Sequence, residues 1–148
     1  MAQTKSQRIQ TFFRSVGDDI KLYHQLLPLL KKQQTLYLAF NGPELSENIR
    51  QQVPILNQLS QSAQQRAQCM ESLGLPASEQ GVQSLLKVLP TTLRNQATRQ
   101  WQSLHQLVDE CQQCNQNNGK SSAAFHEMLS QLVSPGQHTY QEQTFPSA

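Results

Sequence analysis

The sequence predicts an elongated all-α fold, an antiparallel bundle or coiled coil of three long helices plus one short helix, followed by a flexible C-terminal tail. Three observations predict it. Apolar side chains recur at alternating spacings of three and four residues through three long stretches. Strong terminators separate them, at Asn41-Gly42-Pro43, at Leu73-Gly74-Leu75-Pro76 and at Ser134-Pro135-Gly136. Charged residues are only 15% and aromatics 6% of the chain, and glutamine is abundant, a composition suited to helices with wet, mostly uncharged outer faces. At 148 residues there is enough chain for one core, which we place in residues 1–133, with residues 134–148 as the tail.

The first helix is expected from about Lys5 to Phe40. Ile9, Phe13, Val16, Ile20, Tyr23, Leu27, Leu30 and Tyr37 keep the heptad alternation, and Leu22, Leu26, Leu29, Leu36 and Phe40 widen the seam into a face that requires two neighbours. Pro28 lies inside it and should kink or split it. Pro43 opens a second helix to Ser72, antiparallel to the first because the connection is short, with Leu45, Ile49, Leu56, Leu59, Ala63, Met70 and Leu73 on one side and a bend expected near Pro54. Ser78 is placed to cap a short helix ending near Leu89, with Gly81 weakening its start. The last helix, from about Leu93 to Val133, would be about 60 Å long, so a shorter second helix need not cover it throughout.

The seam of this last helix runs Leu104, Val108, Cys111, Asn115, Asn118, Ser122, Phe125, Leu129, Leu132 and turns polar in its middle. Seam asparagines must find hydrogen-bond partners, so they fix register or admit water, and Gly119 beside them costs roughly 1 kcal/mol relative to alanine. The segment beyond this weak point, Phe125, Met128, Leu129, Leu132 and Val133, is the candidate groove for a partner helix, with ordinary core packing as the alternative for each residue.

Other chemistries find little support. A formal net charge of +2 gives no footprint for nucleic acid, and no stretch approaches the roughly 20 apolar residues of a membrane span or forms a signal peptide, so a soluble cytoplasmic protein is expected. Cys69, Cys111 and Cys114 are odd in number. The Cys111/Cys114 pair lies turns inside a helix rather than at its N-terminus, which favours core packing over a thiol enzyme or a metal site. His24, His105, His126 and His138 are too dispersed for a metal site, with Asp109 the surface partner expected for His105. Asp18-Asp19 and Asp109-Glu110 do not face each other as a general acid and base would. Trp101 is expected to be a packing anchor between two helices. No catalytic residue, metal or cofactor is expected.

A tryptophan followed fourteen residues later by Asn-Gln-x-Asn-Gly, in the last long helix of a small glutamine-rich helical protein, resembles the FlgN family of flagellar type III export chaperones. Trp101, Asn115, Gln116, Asn118 and Gly119 carry the resemblance. The leucine pattern Leu26-Leu27, Leu29-Leu30, Leu36 and Leu45 is similar to the opening of those chaperones, and Tyr140 matches a tyrosine they carry beyond the last helix. Gln141-Glu142-Gln143 stands where their Gly-containing turn follows that tyrosine, and Lys120, Ser121 and Ser122 replace bulkier residues after the Asn-Gly. The resemblance implies a cytoplasmic chaperone without enzymatic activity. It would bind the helical ends of hook-associated proteins through its C-terminal helical region and deliver them to the export gate, Tyr140 engaging the cytoplasmic domain of a gate protein. The competing reading is a generic Gln-rich coiled-coil adaptor whose apolar face is satisfied by a second copy, and a homodimer is compatible with either.

Overall fold

In a computed structural model, residues 3–133 are described, with side chains described for residues 3–123. These residues form four helices: α1 (Lys5–Leu38), α2 (Gly42–Ser72), α3 (Glu79–Lys87) and α4 (Thr91–Val133). Helix α1 begins in a capping box, in which the Thr4 hydroxyl accepts from the Gln7 amide and the Gln7 side chain accepts from the Thr4 amide. It ends in a Schellman turn, with the Phe40 amide donating to the Tyr37 carbonyl and the Asn41 amide to the Leu36 carbonyl. The left-handed residue of that turn is Phe40, at φ 54°, and not the glycine or asparagine that follow it. Asn41 instead caps α2 by accepting from the Glu44 amide, and Gly42 is already helical. Helix α2 closes in the same way, with Gly74 at φ 71° and the Leu75 amide on the Met70 carbonyl.

Neither proline divides its helix. Pro28 and Pro54 sit on exposed positions of continuous helices, where the carbonyl each deprives of a partner is on the wet side. Gly119 likewise lies within the continuous span of α4. Ser78 occupies the N-cap position of α3 without a side-chain cap bond. The other end of α3 is held by Arg94, whose guanidinium donates to the Leu86, Lys87 and Leu89 carbonyls at 3.0–3.1 Å.

Helix α1 is the shared element, packed lengthwise against both α2 and α4, with α3 against α4. Asp19 meets Arg66 and Gln33 meets Gln52, so α2 runs antiparallel to α1. Trp101 meets Phe12 and Asn118 meets Leu30, so α4 runs parallel to it, each α1 residue facing one about 88 positions later. Three apolar blocks are stacked along this arrangement. The proximal block joins Ile9, Phe12 and Val16 to Met70, Val82, Leu85, Leu86, Ala97 and Leu104. The middle block is Leu26, Leu30, Leu59 and Cys111, and the distal one, among the described side chains, is Leu36, Tyr37 and Leu45.

Polar layers separate the blocks, and they correct the expected seams. The innermost line of α1 is Ile9, Phe12, Val16, Asp19, Tyr23, Leu26, Leu30, Gln33 and Tyr37, so Phe13, Ile20 and Leu27 flank it. In α2 the inward positions are Leu45, Asn48, Gln52, Ile55, Leu59, Ser62, Arg66, Cys69, Met70 and Leu73, so Leu45, Leu59 and Met70 are buried as expected, whereas Ile49 and Ala63 are exposed. Between the proximal and middle blocks the Asp19 side chain, 1% exposed, receives Arg66 Nη1 at 2.6 Å, and the same nitrogen donates to Ser15 Oγ at 3.1 Å. Burial followed by the nearby Asp19 charge raises the pKa of Tyr23 above its ordinary value.

Gly81 is needed for a reason other than flexibility. A Cβ there would overlap the Pro76 carbonyl oxygen and crowd Met70 Cε, so the start of α3 rests directly on the backbone of the α2–α3 connection. Gly81→Ala should cost about 1–3 kcal/mol in urea denaturation, because backbone must move to admit the methyl group. An unchanged midpoint would show that the contact is not close.

Candidate partner-binding surface

The polar layer between the middle and distal blocks is built from all three long helices. Asn118, 4% exposed, donates from Nδ2 to the Leu30 carbonyl at 2.9 Å and to Gln33 Oε1 at 3.4 Å. Gln33 Oε1 also accepts from Gln52 Nε2 at 2.8 Å, the same amide nitrogen reaches Asn48 Oδ1 at 2.8 Å, and Asn48 Nδ2 donates to the Leu29 carbonyl at 3.0 Å. The network is incomplete on the α4 side. Asn118 Oδ1 and Ser122 Oγ are buried with no hydrogen-bond partner among the described residues.

The register of α4 on α1 brings Leu38 level with residue 126 or so, so the last two turns of α4 run past the end of α1. The exposed large apolar side chains among the described residues form two patches. Leu38 (71% exposed), Phe40, Ile49 and Val53 surround the distal end, and Val88 and Leu93 lie at the proximal end.

The anticipated site residues distribute unevenly. Trp101 is an anchor as expected: it packs on Phe12 and its Nε1 donates to the Glu79 carboxylate at 3.0 Å, tying α4 to α1 and α3 together. His105 stacks edge-on to Trp101 and meets Glu79 at 3.2 Å, so its partner is not Asp109. Asn118 is buried in the network, Asn115 is half-buried, and Gln116 is exposed. Gly119 has open space where a Cβ would be, so nothing inside the fold demands glycine there. Phe125, Met128, Leu129, Leu132 and Val133 lie on the helical backbone of α4, with side chains outside the described ones, and Tyr140 lies outside the described residues, as do the side chains of His126 and His138.

The cysteines are free thiols. Burial, then Cys114 and Glu110, push the Cys111 pKa up to about 11, the opposite of what a nucleophile needs, and burial raises that of Cys69 as well. Among the described residues no group of His, Cys, Asp or Glu could hold a metal ion, and no helix is long and apolar enough to cross a membrane. A cleft of about 640 Å³ opens between α1 and α4 at the proximal end, lined by Ile9, Phe13, Gly17, Ile20, Leu89 and Leu93 and bordered by Arg14, Asp18 and Lys21. Ile9, Phe13 and Ile20 of its lining lie on the apolar row that the sequence marks in α1, but the gap itself falls between two helices remote in sequence, which the period of a single helix does not register.

Comparison with known proteins agrees with this architecture. The family profile described as FlgN protein matches residues 1–142. A crystal structure from Pseudomonas aeruginosa, described as a flagella synthesis protein FlgN, superposes with a TM-score of 0.68 at 19% identity, covering 87% of this chain and 99% of that one, a likeness of fold. No curated protein matches the sequence significantly.

The Glu79 carboxyl is held below the ordinary glutamate value of 4.5, by the Gln83 side chain first and then by Trp101 and His105, against a smaller opposing effect of burial. Its folded-state pKa is the lower one, so this clamp contributes fully above the ordinary value and is lost as the pH falls through the lowered one. Fluorescence of Trp101, the sole tryptophan, should therefore shift in acid before the helical signal falls, and Glu79→Gln should abolish that step. Superimposable acid profiles for the two proteins would refute the clamp.

Proposed function

The chain belongs to the FlgN family of flagellar export chaperones, and on that premise we propose that its distal end receives the terminal helices of hook-associated proteins. Held there in the cytoplasm, these cargo helices are kept from assembling early and are passed to the cytoplasmic domain of the export gate. The observation that carries this reading is the unfinished distal end. The last two turns of α4 run past the end of α1, and Leu38, Phe40, Ile49 and Val53 are exposed towards that end. An amphipathic cargo helix laid along Phe125, Met128, Leu129, Leu132 and Val133 would supply the neighbour that α1 no longer provides.

The polar layer gives the distal part of α4 a low cost of separation. Asn118 Oδ1 and Ser122 Oγ have no hydrogen-bond partner among the described residues while α4 is docked and can take one from water when it opens, which offsets part of the lost packing and of the bonds made by Asn118 Nδ2. Gly119, where an added Cβ would meet nothing among the described residues, is a position where the helix itself yields readily. For Tyr140 the support is the family resemblance, and its proposed role is contact with the export gate. The same exposed patch would serve self-association, so the two readings part on stoichiometry: a chaperone forms a one-to-one complex with cargo, and an adaptor buries the patch in a dimer.

Binding of fluorescent terminal-helix peptides from hook-associated proteins tests this. Leu38→Ser with Ile49→Gln, and separately Leu129→Glu, should each weaken capture about tenfold or more with helical content intact. Ser122→Ala with Gly119→Ala should raise stability by about 1–3 kcal/mol and also weaken capture. Undiminished binding in all of these variants, or an obligate dimer in sedimentation that ignores the peptides, would overturn the proposal.

A further inference from the structure

We propose that the proximal cleft between α1 and α4 is a second docking surface, for an amphipathic helix of another protein that carries carboxylates two turns apart along its edge. Its shape suits a helix. Two parallel helices bound it over about three turns, roughly 17 Å from Ile9 to Ile20, and its floor is Ile9, Phe13, Ile20, Leu89 and Leu93. Leu93 is 52% exposed and Val88 beside it 60%, more than a finished core boundary leaves open.

Gly17 deepens this floor without serving the fold. An added Cβ would touch only the Gln100 side-chain amide, at an ordinary 3.8 Å, so neither crowding nor backbone conformation requires glycine, which costs about 1 kcal/mol relative to alanine inside a helix. What its missing side chain does provide is close approach for a helix lying in the cleft.

Charge selects the occupant. Arg14 and Lys21 stand two turns apart on the same edge, with Asp18 between them, and none of the three forms an ion pair among the described residues. Two uncommitted cations against one carboxylate favour a helix with acidic residues seven positions apart and disfavour a basic one. The cleft lies at the end of the bundle opposite the proposed cargo surface, so the two can fail separately.

Helix-stapled peptides of about 15 residues, with leucines at alternating three- and four-residue spacing and either two glutamates or two lysines seven apart, probe it on the full chain. At low salt the glutamate peptide should bind about tenfold more tightly than the lysine peptide, with NMR shifts at Phe13, Gly17 and Leu93 and an advantage that shrinks in high salt. Arg14→Glu with Lys21→Glu, both exposed, should reverse the preference, and Gly17→Leu should block both peptides with helical content unchanged. Equal affinities, shifts confined to the distal end, or a dimer of this chain closed over Leu93 would overturn it.

Discussion

The register of the bundle depends on one donor, the Asn118 amide, and on the Leu30 carbonyl that receives it. Leucines tolerate sliding, because one methyl-lined hole resembles the next. A buried amide does not, since a shift of one turn would strand it away from Gln33 and forfeit a bond at a cost of about 1–3 kcal/mol. Asp19 and Arg66 pin α2 on α1 in the same manner, and with a harsher penalty, because slippage would leave a carboxylate buried and unpaired. Three stacked apolar blocks separated by two polar layers are thus held in alignment by their least apolar members.

That division explains what the sequence could and could not disclose. Helix number, order, turn positions and the terminators at Gly74 and Pro43 follow from local chemistry and are as expected. Part of each inward face is shifted by one position around α1 and α2, while Ile9, Val16, Leu30, Tyr37, Leu45, Leu59 and Met70 are buried as expected. Choosing the most apolar row selects Phe13, Ile20, Leu27, Ile49 and Ala63, whereas the centre of the bundle holds Asp19, Gln33, Asn48, Gln52 and Arg66. Each of these polar residues is tolerable inside only because of a partner on another helix, information that no single helical period contains. In α4 the seam was legible down to Asn118 and Ser122, since the polar interruption there falls on the heptad itself, although Leu107 is buried more deeply than Val108.

The glycines sort the two ends of the molecule. Gly81 is enforced by backbone contact at the proximal end, where Trp101, Glu79 and Arg94 also bind α3 into place. No contact among the described residues enforces glycine at Gly119, which lies beside the incomplete polar layer at the distal end. Among the described residues, the contacts that hold backbone directly are therefore concentrated where the chain turns back on itself.

A detached end would not be a free helix for long. About fifteen residues follow Asn118 in α4, near the length at which an isolated helix is marginal in water even with favourable composition. Separation from α1 and retention of helical form therefore oppose each other unless a new apolar neighbour arrives. A partner that offers a helix with a matching stripe restores both at once, whereas one that offers only scattered apolar contacts restores neither and bears the ordering cost of α4 unaided. On the proposed reading, a preference for helical partners then follows from the energetics of α4 itself, before any individual side-chain contact is considered.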